Sequence, residues 1–435
     1  MKPVMSEMRT AVMGALIVTL GPLSLALYTP AMPMLVDAFD TTAAAVKLTL
    51  SVYFFGFAVS QLACGPLSDA YGRRPVALGF FAVYAAGSVL AALAWSIDAL
   101  LAGRLLQGVG AAAGIAISRA MVRDQFTGQN SARILNLIGL FLAIAPAVAP
   151  TLGGLILGTL GWQAIFYGMT VYGLAVLLLY AGTVAETNTT RNPENARPSR
   201  VLHNYRTLLG DAVFMRAGLV LGLTLGGIYT LSALLPFVMI ETVGLTPTQF
   251  GMAMLLQTGS YTTGAAITGR LLRTVDAKRL IPVGLAFVLA GATGFGIGLR
   301  LLPPSLVTVM APTAVWAFGI ALVLPGTTSG ALAGFPAIAG AASALTGFLQ
   351  IGGGLAGSAA AATLFDSPFA AITTVLPGMA VAALLAHVAL GRHARRRTER
   401  TPQAADLEVA LDPAAVIGAG GEEIEATLAR RHHRN

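Results

Sequence analysis

The chain has 435 residues, 56% of them hydrophobic and 11% charged, with a formal net charge of +8. A soluble domain carries about 25% charged residues, so this chain cannot cover a water-facing surface of its own size, and a soluble enzyme or scaffold is excluded. The positive balance does not point to nucleic acid, because the basic residues sit between apolar segments, where membrane topology already demands them.

A membrane-crossing helix needs about 20 mostly apolar residues. Lys2 and Arg9 precede an uncharged run from Ala11 to Val36, too long for a signal-peptide core and read as an uncleaved first helix. Spans are predicted at roughly 11–33, 48–68, 75–96, 99–121, 134–157 and 162–183, then at roughly 213–238, 249–270, 279–300, 304–328, 338–361 and 369–391. Residues 301–365 carry no charge and are too long for one helix. Pro325-Gly326 and Phe335-Pro336 are predicted to help mark the end of one span and a tight turn into the next.

The fold class predicted is an all-α membrane protein of twelve transmembrane helices. Residues 1–184 form an N-terminal six-helix half and 213–391 a C-terminal one. Residues 185–212, rich in Asn, Thr, Pro and Arg, read as a flexible linker. Residues 392–435 read as a mostly disordered tail, with a short helix near 421–430. With both termini cytoplasmic, 24 of the 27 Lys and Arg fall in cytoplasmic segments, all but Lys47, Arg104 and Arg300. That asymmetry fixes the orientation expected. Cys64, the single cysteine, has no partner for an intrachain disulfide.

Between the second and third spans runs Gly65-Pro66-Leu67-Ser68-Asp69-Ala70-Tyr71-Gly72-Arg73-Arg74-Pro75. Gly65 permits close helix approach, Asp69 can accept from arginines or cap a helix N-terminus, and Gly72 allows a tight turn. Such a cluster of Gly65, Asp69, Gly72, Arg73 and Arg74 can latch two halves in one state and release them in another. A positive-inside loop would explain the two arginines but not the Gly and Asp spacing. This segment resembles the signature loop of major facilitator transporters. A weaker copy lies about 200 residues on, at Gly269-Arg270 and Asp276-Ala277-Lys278-Arg279, as two repeated halves would require.

Arg104 lies within the fourth span, in Arg104-Leu105-Leu106-Gln107-Gly108. A charge inside a span is costly and functional by default. The bland alternative is snorkelling, since Arg104 is only two turns from Asp98. Pro146, Pro150, Gly153 and Gly154 in the fifth span resemble the fifth-helix element of drug antiporters. Prolines break the helical ladder and glycines allow close packing, which suggests a bend. Ser118 to Asp124, Gly161 to Phe166 and Gly340 to Gly354 resemble the bicyclomycin and chloramphenicol resistance branch of the drug/proton antiporters.

What the resemblance implies is an efflux transporter of the plasma membrane working by alternating access, exporting small apolar or neutral compounds in exchange for protons. Its partners are a small-molecule substrate and the lipid bilayer, with no nucleic acid, and it is expected to be monomeric. Relatives carry an acid in helix 1 just before a Tyr-Leu-Pro-Ala-like stretch. Here that stretch is Leu27-Tyr28-Thr29-Pro30-Ala31 and the acid position reads Ala26. Every carboxylate falls near a helix end or in a loop. Candidate cavity-lining residues are Tyr28, Phe57, Gln61, Gln107, Asn136, Tyr229, Gln257, Tyr261 and Gln350, each about as able to pack between helices. The five histidines lack metal-ligand spacing, and no phosphate-binding Gly-rich loop is present. No catalytic residue, metal or cofactor is expected. The alternatives are a metabolite exporter or uncoupled facilitator of the same fold, and a membrane receptor or structural protein.

Overall fold

A computed structural model describes residues 4–189, 191–335 and 338–400; the side chains at 128, 129, 132, 136, 140, 143, 147 and 393–400 lie outside the description. The tail beyond 400, with the short helix predicted near 421–430, and Pro336 also lie outside the described residues. The first six long helices are α1 (Glu7–Tyr28), α2 (Ala43–Tyr71), α3 (Arg73–Ala92), α4 (Ile97–Gln125), α5 (Gly128–Leu160) and α6 (Trp162–Thr183). A short helix, α7 (Pro198–Leu209), follows. Then come α8 (Ala212–Pro236), α9 (Pro247–Leu271), α10 (Ala277–Thr293), α11 (Leu306–Ala333), α12 (Ala339–Thr363) and α13 (Pro368–Arg400).

Polar caps start these helices. Ser6, Thr42, Ser96, Asp211, Thr246 and Ser305 each accept from a backbone N–H in the first turn, which satisfies donors that hydrocarbon could not. After Tyr28, a 3-10 turn with Pro30 carries α1 on into Met32–Ala38. At the same end, α8 and α10 run on through π-helical segments, Phe237–Thr242 and Gly294–Gly298.

Ten of these helices are long and apolar enough to cross a membrane. The two other long helices, α9 and α12, carry Gln257, Ser260, Tyr261, Thr262 and Thr263, and Ser343, Thr346, Gln350 and Ser358. Their polarity has a structural reason: α9 packs on α5 and α12 packs on α2, so both spend a face on the other six-helix group rather than on lipid. Exposed Phe141, Ile144, Val148, Leu152, Val171 and Leu178 mark lipid-facing sides of α5 and α6.

One apolar core is drawn almost wholly from α1 to α6, a second from α8 to α13. Two sequence expectations are corrected. Pro325 and Gly326 do not end a span; they lie inside α11, which runs to Ala333. Pro is tolerated there because neighbouring helices and Ser/Thr hydroxyls can satisfy backbone groups in a membrane interior. Nor is the connection after α6 irregular throughout. It holds a 3-10 turn (Pro193–Ala196) and the helix α7, because Val201, Tyr205 and Leu208 recur at helical spacing.

The two helix groups meet along two seams. At the end away from the arginine-rich loops, Lys47 Nζ of α2 donates to Ala361 O of α12 at 3.4 Å, and one turn deeper Ser51 and Ser358 hydroxyls lie 3.0 Å apart. On the other side, Thr151 Oγ1 of α5 donates to Gly251 O (3.0 Å), and Thr248 Oγ1 of α9 to Gly154 O (3.2 Å). That end is sealed. Toward the basic end no hydrogen bond links α5 and α9 among the described residues: on the last two turns of α9, Thr262, Thr263, Ala265, Ala266 and Ile267 are exposed, and only Gly264 and Thr268 are buried, Gly264 against α11. Arg119 and Arg123 of α4 are exposed at the same end.

Candidate functional site: a basic-end latch and a buried arginine

The turn between α2 and α3 depends on Gly72, whose φ of 109° is open to glycine and strained for other residues. It swings Arg73 back onto α2. Arg73 Nη1 lies 2.5 Å from Asp69 Oδ1 and 2.7 Å from Ser68 Oγ, and Nε lies 2.9 Å from Asp124 Oδ2 of α4. With 6% of its side chain exposed, Arg73 is a nearly buried cation shared by two carboxylates. Pairing of this kind is what makes such burial tolerable. Arg74 Nη2 donates to Ala181 O of α6 at 2.7 Å. Gly65 has open space where a Cβ would be.

Gly72 is the N-cap residue of α3 but has no side chain to accept its first N–H groups, and Asp69 does not accept them either. Glu186, just past α6, takes that place: its Oε1 accepts from Arg73 N at 2.9 Å and its Oε2 from Arg74 N at 3.1 Å. A carboxylate on the first two N–H groups of a helix satisfies orphan donors and opposes the positive end of the dipole. The following residues tie down the loop from outside. Thr187 Oγ1 donates to Asp124 Oδ2 (3.2 Å), and Asn188 Nδ2 donates to Asp69 O (3.0 Å). Asp69 also lies at the start of α12: its Oδ2 would stand 3.6 Å from a Cβ on Gly340. This cluster therefore bonds α2, α3, α4 and the post-α6 segment, with the N-terminus of α12 beside it.

Arg104 is fully buried. Its Nη1 donates to Gln107 Oε1 at 2.8 Å and to Ser24 O at 3.4 Å. The guanidinium carbon lies 4.5 Å from the Tyr28 ring centroid and 4.4 Å from that of Tyr53, so the plane is held between two aromatic faces. Cation–π contacts of this kind are worth about 2 kcal/mol when desolvated. Nε and Nη2 have no hydrogen-bond partner, and among the described residues no carboxylate pairs with it. Gln107 in turn donates to Ser88 Oγ of α3 at 2.9 Å. Tyr53 hydroxyl donates to Gly21 O (2.9 Å), and Ser24 and Tyr84 hydroxyls are hydrogen-bonded. Arg104 does not snorkel to the surface; it sits inside the first helix group.

The remaining candidates divide by position. Tyr28, Phe57 and Gln107 are buried within the first group, Phe57 against Tyr53 and Tyr28 against Phe166. Gln61 of α2 faces Gly347 of α12 across the seam, and its Oε1 accepts no hydrogen bond. Tyr229, Gln257, Tyr261 and Gln350 of the second group are half-buried. Tyr229 reaches across to Phe54, with ring centroids 5.4 Å apart, and Gln257 Oε1 is also unpartnered. The side chain of Asn136 lies outside the described residues. Pro146 and Pro150 fall within one unbroken α5, where Pro150, Gly153 and Gly154 form contact points: Pro150 O meets Gly251, Gly153 meets Leu27 O, and Gly154 meets Pro247 O.

Glu186, Asn188 and Tyr205 were not singled out in the sequence. Glu186 had a legible signal, as one of three acids, with Glu194 and Asp211, in a connection otherwise dominated by arginine.

A family model described as Major Facilitator Superfamily matches residues 14–361. The chain is 31% identical over 344 residues to a chloramphenicol resistance protein of Pseudomonas aeruginosa, covering 78% of this chain and 80% of that one. It is 29% identical over 354 residues to multidrug resistance protein D of Escherichia coli strain K12, covering 80% and 87%. A solved D-xylose-proton symporter shares the fold with a TM-score of 0.66 at 14% identity, covering 87% of this chain and 97% of that one. With a family match across most of its length and two six-helix groups, the chain belongs to the major facilitator superfamily: it is a multi-pass membrane transporter rather than an enzyme.

Proposed function

We propose that the protein exports small neutral compounds, including antibiotics, from the cytoplasm by alternating access. The observation that carries the reading is Arg104, a permanent cation buried between Tyr28 and Tyr53 with no carboxylate beside it. A lipophilic cation entering the space between the halves needs a counter-charge, because an unpaired charge is costly to bury. Among the described residues no acid lies at mid-depth of a span, and Arg104 would repel such a guest. Neutral polar compounds avoid that cost and can use the unpartnered amide oxygens of Gln61 and Gln257. The chloramphenicol resistance relative supports the same compound class.

The orientation proposed puts the arginine-rich loops and both termini on the cytoplasmic side of the plasma membrane, so the end with the cross-seam hydrogen bonds faces outward and the basic end of α5 and α9 faces inward. Proton exchange belongs to the proposal, carried by carboxylates at helix ends, with Asp37 and Glu241 at the outer rim of helices α1 and α8. Substrate flux in proteoliposomes, with and without an imposed pH gradient, tests both transport and coupling. A monomer is the functional unit proposed, because both seams lie within one chain.

A further inference from the structure

The connection between the halves carries a feature that neither the latch nor the buried arginine explains. Along α7, a 100° step per residue puts Val201, Leu202, Tyr205, Leu208 and Leu209 on one arc, with Arg206 and Arg200 falling on either side of it. Tyr205 and Leu208 face the protein. The Tyr205 hydroxyl donates to Leu62 O of α2 at 2.7 Å. That carbonyl is free because Pro66, four residues on, has no N–H to offer it. Burial pushes the Tyr205 phenol upward, so it remains a donor. Leu208 is buried in a cluster with Phe214, Ala331, Ala342 and Leu345.

The other part of the apolar arc is half open. Leu202 is 49% and Leu209 50% exposed. Between α7 and α2 lies an open cleft of about 230 Å³, walled by Leu62, Ala63 and Pro66 on one side and Ala196, Pro198 and Val201 on the other. Arg200 and Arg206 of the same helix are exposed and, among the described residues, make no ion pair. A basic helix with an apolar arc, joined to the basic ends of membrane-crossing helices, has the pattern of an element lying in the membrane interface.

We infer that the cleft between α7 and α2 seats an anionic phospholipid of the cytoplasmic leaflet, with an acyl chain along Leu62, Ala63 and Val201 and the phosphate at Arg200 and Arg206. The inference rests on the orientation proposed above but not on the substrate class. Charge complementarity selects the anionic lipid, since each basic residue at the surface of an anionic leaflet adds to binding. The lipid would brace α7 against the stretch of α2 that Pro66 weakens, next to the latch.

The test uses full-length protein in nanodiscs of equal phosphatidylcholine and phosphatidylglycerol, released into detergent and read by native mass spectrometry. Wild-type protein should retain phosphatidylglycerol over phosphatidylcholine. The exposed double variant Arg200→Gln/Arg206→Gln should lower phosphatidylglycerol retention about tenfold. Lysine at both positions should restore it, and Ala63→Trp, which fills the cleft, should displace both lipids. Equal retention of the two lipids by wild type, or unchanged retention in the glutamine variant, overturns the inference whatever the flux. Competition by water-soluble glycerophosphoglycerol as strong as that by the lipid would show a phosphate site without an acyl seat and overturn it too. Loss of flux at unchanged lipid retention bears on the transport reading alone.

Discussion

Glu186 accepts from the backbone N–H of Arg73 at 2.9 Å, although the two residues are separated by 113 positions and four helices. The contact fixes the direction in which α3 leaves the Gly72 turn, and with it the guanidinium that Asp69 and Asp124 share. The Arg73 charge cluster is thus held from the linker side as well as from within the signature loop.

Replacing Glu186 by Gln keeps one acceptor and removes the charge. A carboxylate at a helix N-terminus is worth about 0.3–1 kcal/mol, up to about 2 kcal/mol when partly buried. Glu186→Gln should lower stability by about 1 kcal/mol, read by thermal unfolding in detergent, and reduce flux at equal abundance. An unchanged melting temperature would remove Glu186 from the latch.

Asp69→Asn leaves Arg73 with Asp124 alone and takes the negative charge from the start of α12. Breaking a buried pair by removing one partner typically costs about 3–5 kcal/mol, less where the carboxylate is partly exposed, as here at 31%. Insertion should be preserved because no span is altered. Most transport should be lost, and normal flux at normal expression would count against the latch.

For Arg104, substitution by Ala should abolish most transport, and Lys should recover little. A planar guanidinium fills the gap between the Tyr28 and Tyr53 rings and donates to Gln107 and Ser24 together; an ammonium on a flexible stem does not reproduce that geometry. Flux measured at equal membrane abundance decides. Lys working as well as Arg would reduce the residue to a charge.

The α5–α9 seam makes a steric prediction. A Cβ on Gly251 would stand 2.5 Å from Pro150 O, closer than atoms pack. Gly251→Leu should therefore hold the outer end open. Cysteines placed at the outer ends of α5 and α9 should label more from outside in this variant than in wild type; equal labelling would refute the seam as a closure point.

The spans and their order were legible because the signal is long: about 20 apolar residues are hard to mistake, and the sixth span, 162–183, matches α6 end to end. The signature loop was legible because its residues are neighbours in sequence. What could not be read was long-range. Pro325-Gly326 has turn chemistry in water, yet membrane packing carries α11 through it. α7 was hidden by its arginines and prolines, and its partner carbonyl at Leu62 is orphaned by a proline 139 positions before Tyr205 in the sequence. Arg104 was found as a charge in a span, but its aromatic sandwich needed Tyr28 and Tyr53 from two other helices. Sequence also gave no means of separating Tyr28, Phe57 and Gln107, packed inside the first group, from the half-buried Tyr229, Gln257, Tyr261 and Gln350.

The central claim is that the space between the halves favours neutral over cationic guests because its vicinity holds Arg104 and no mid-depth acid. Parallel export of chloramphenicol and ethidium by the same reconstituted protein tests it most directly. The account predicts export of chloramphenicol and little or none of ethidium. Strong ethidium export without chloramphenicol export would contradict it, and would assign the counter-charge to Asp37 or Glu241 at the outer rim.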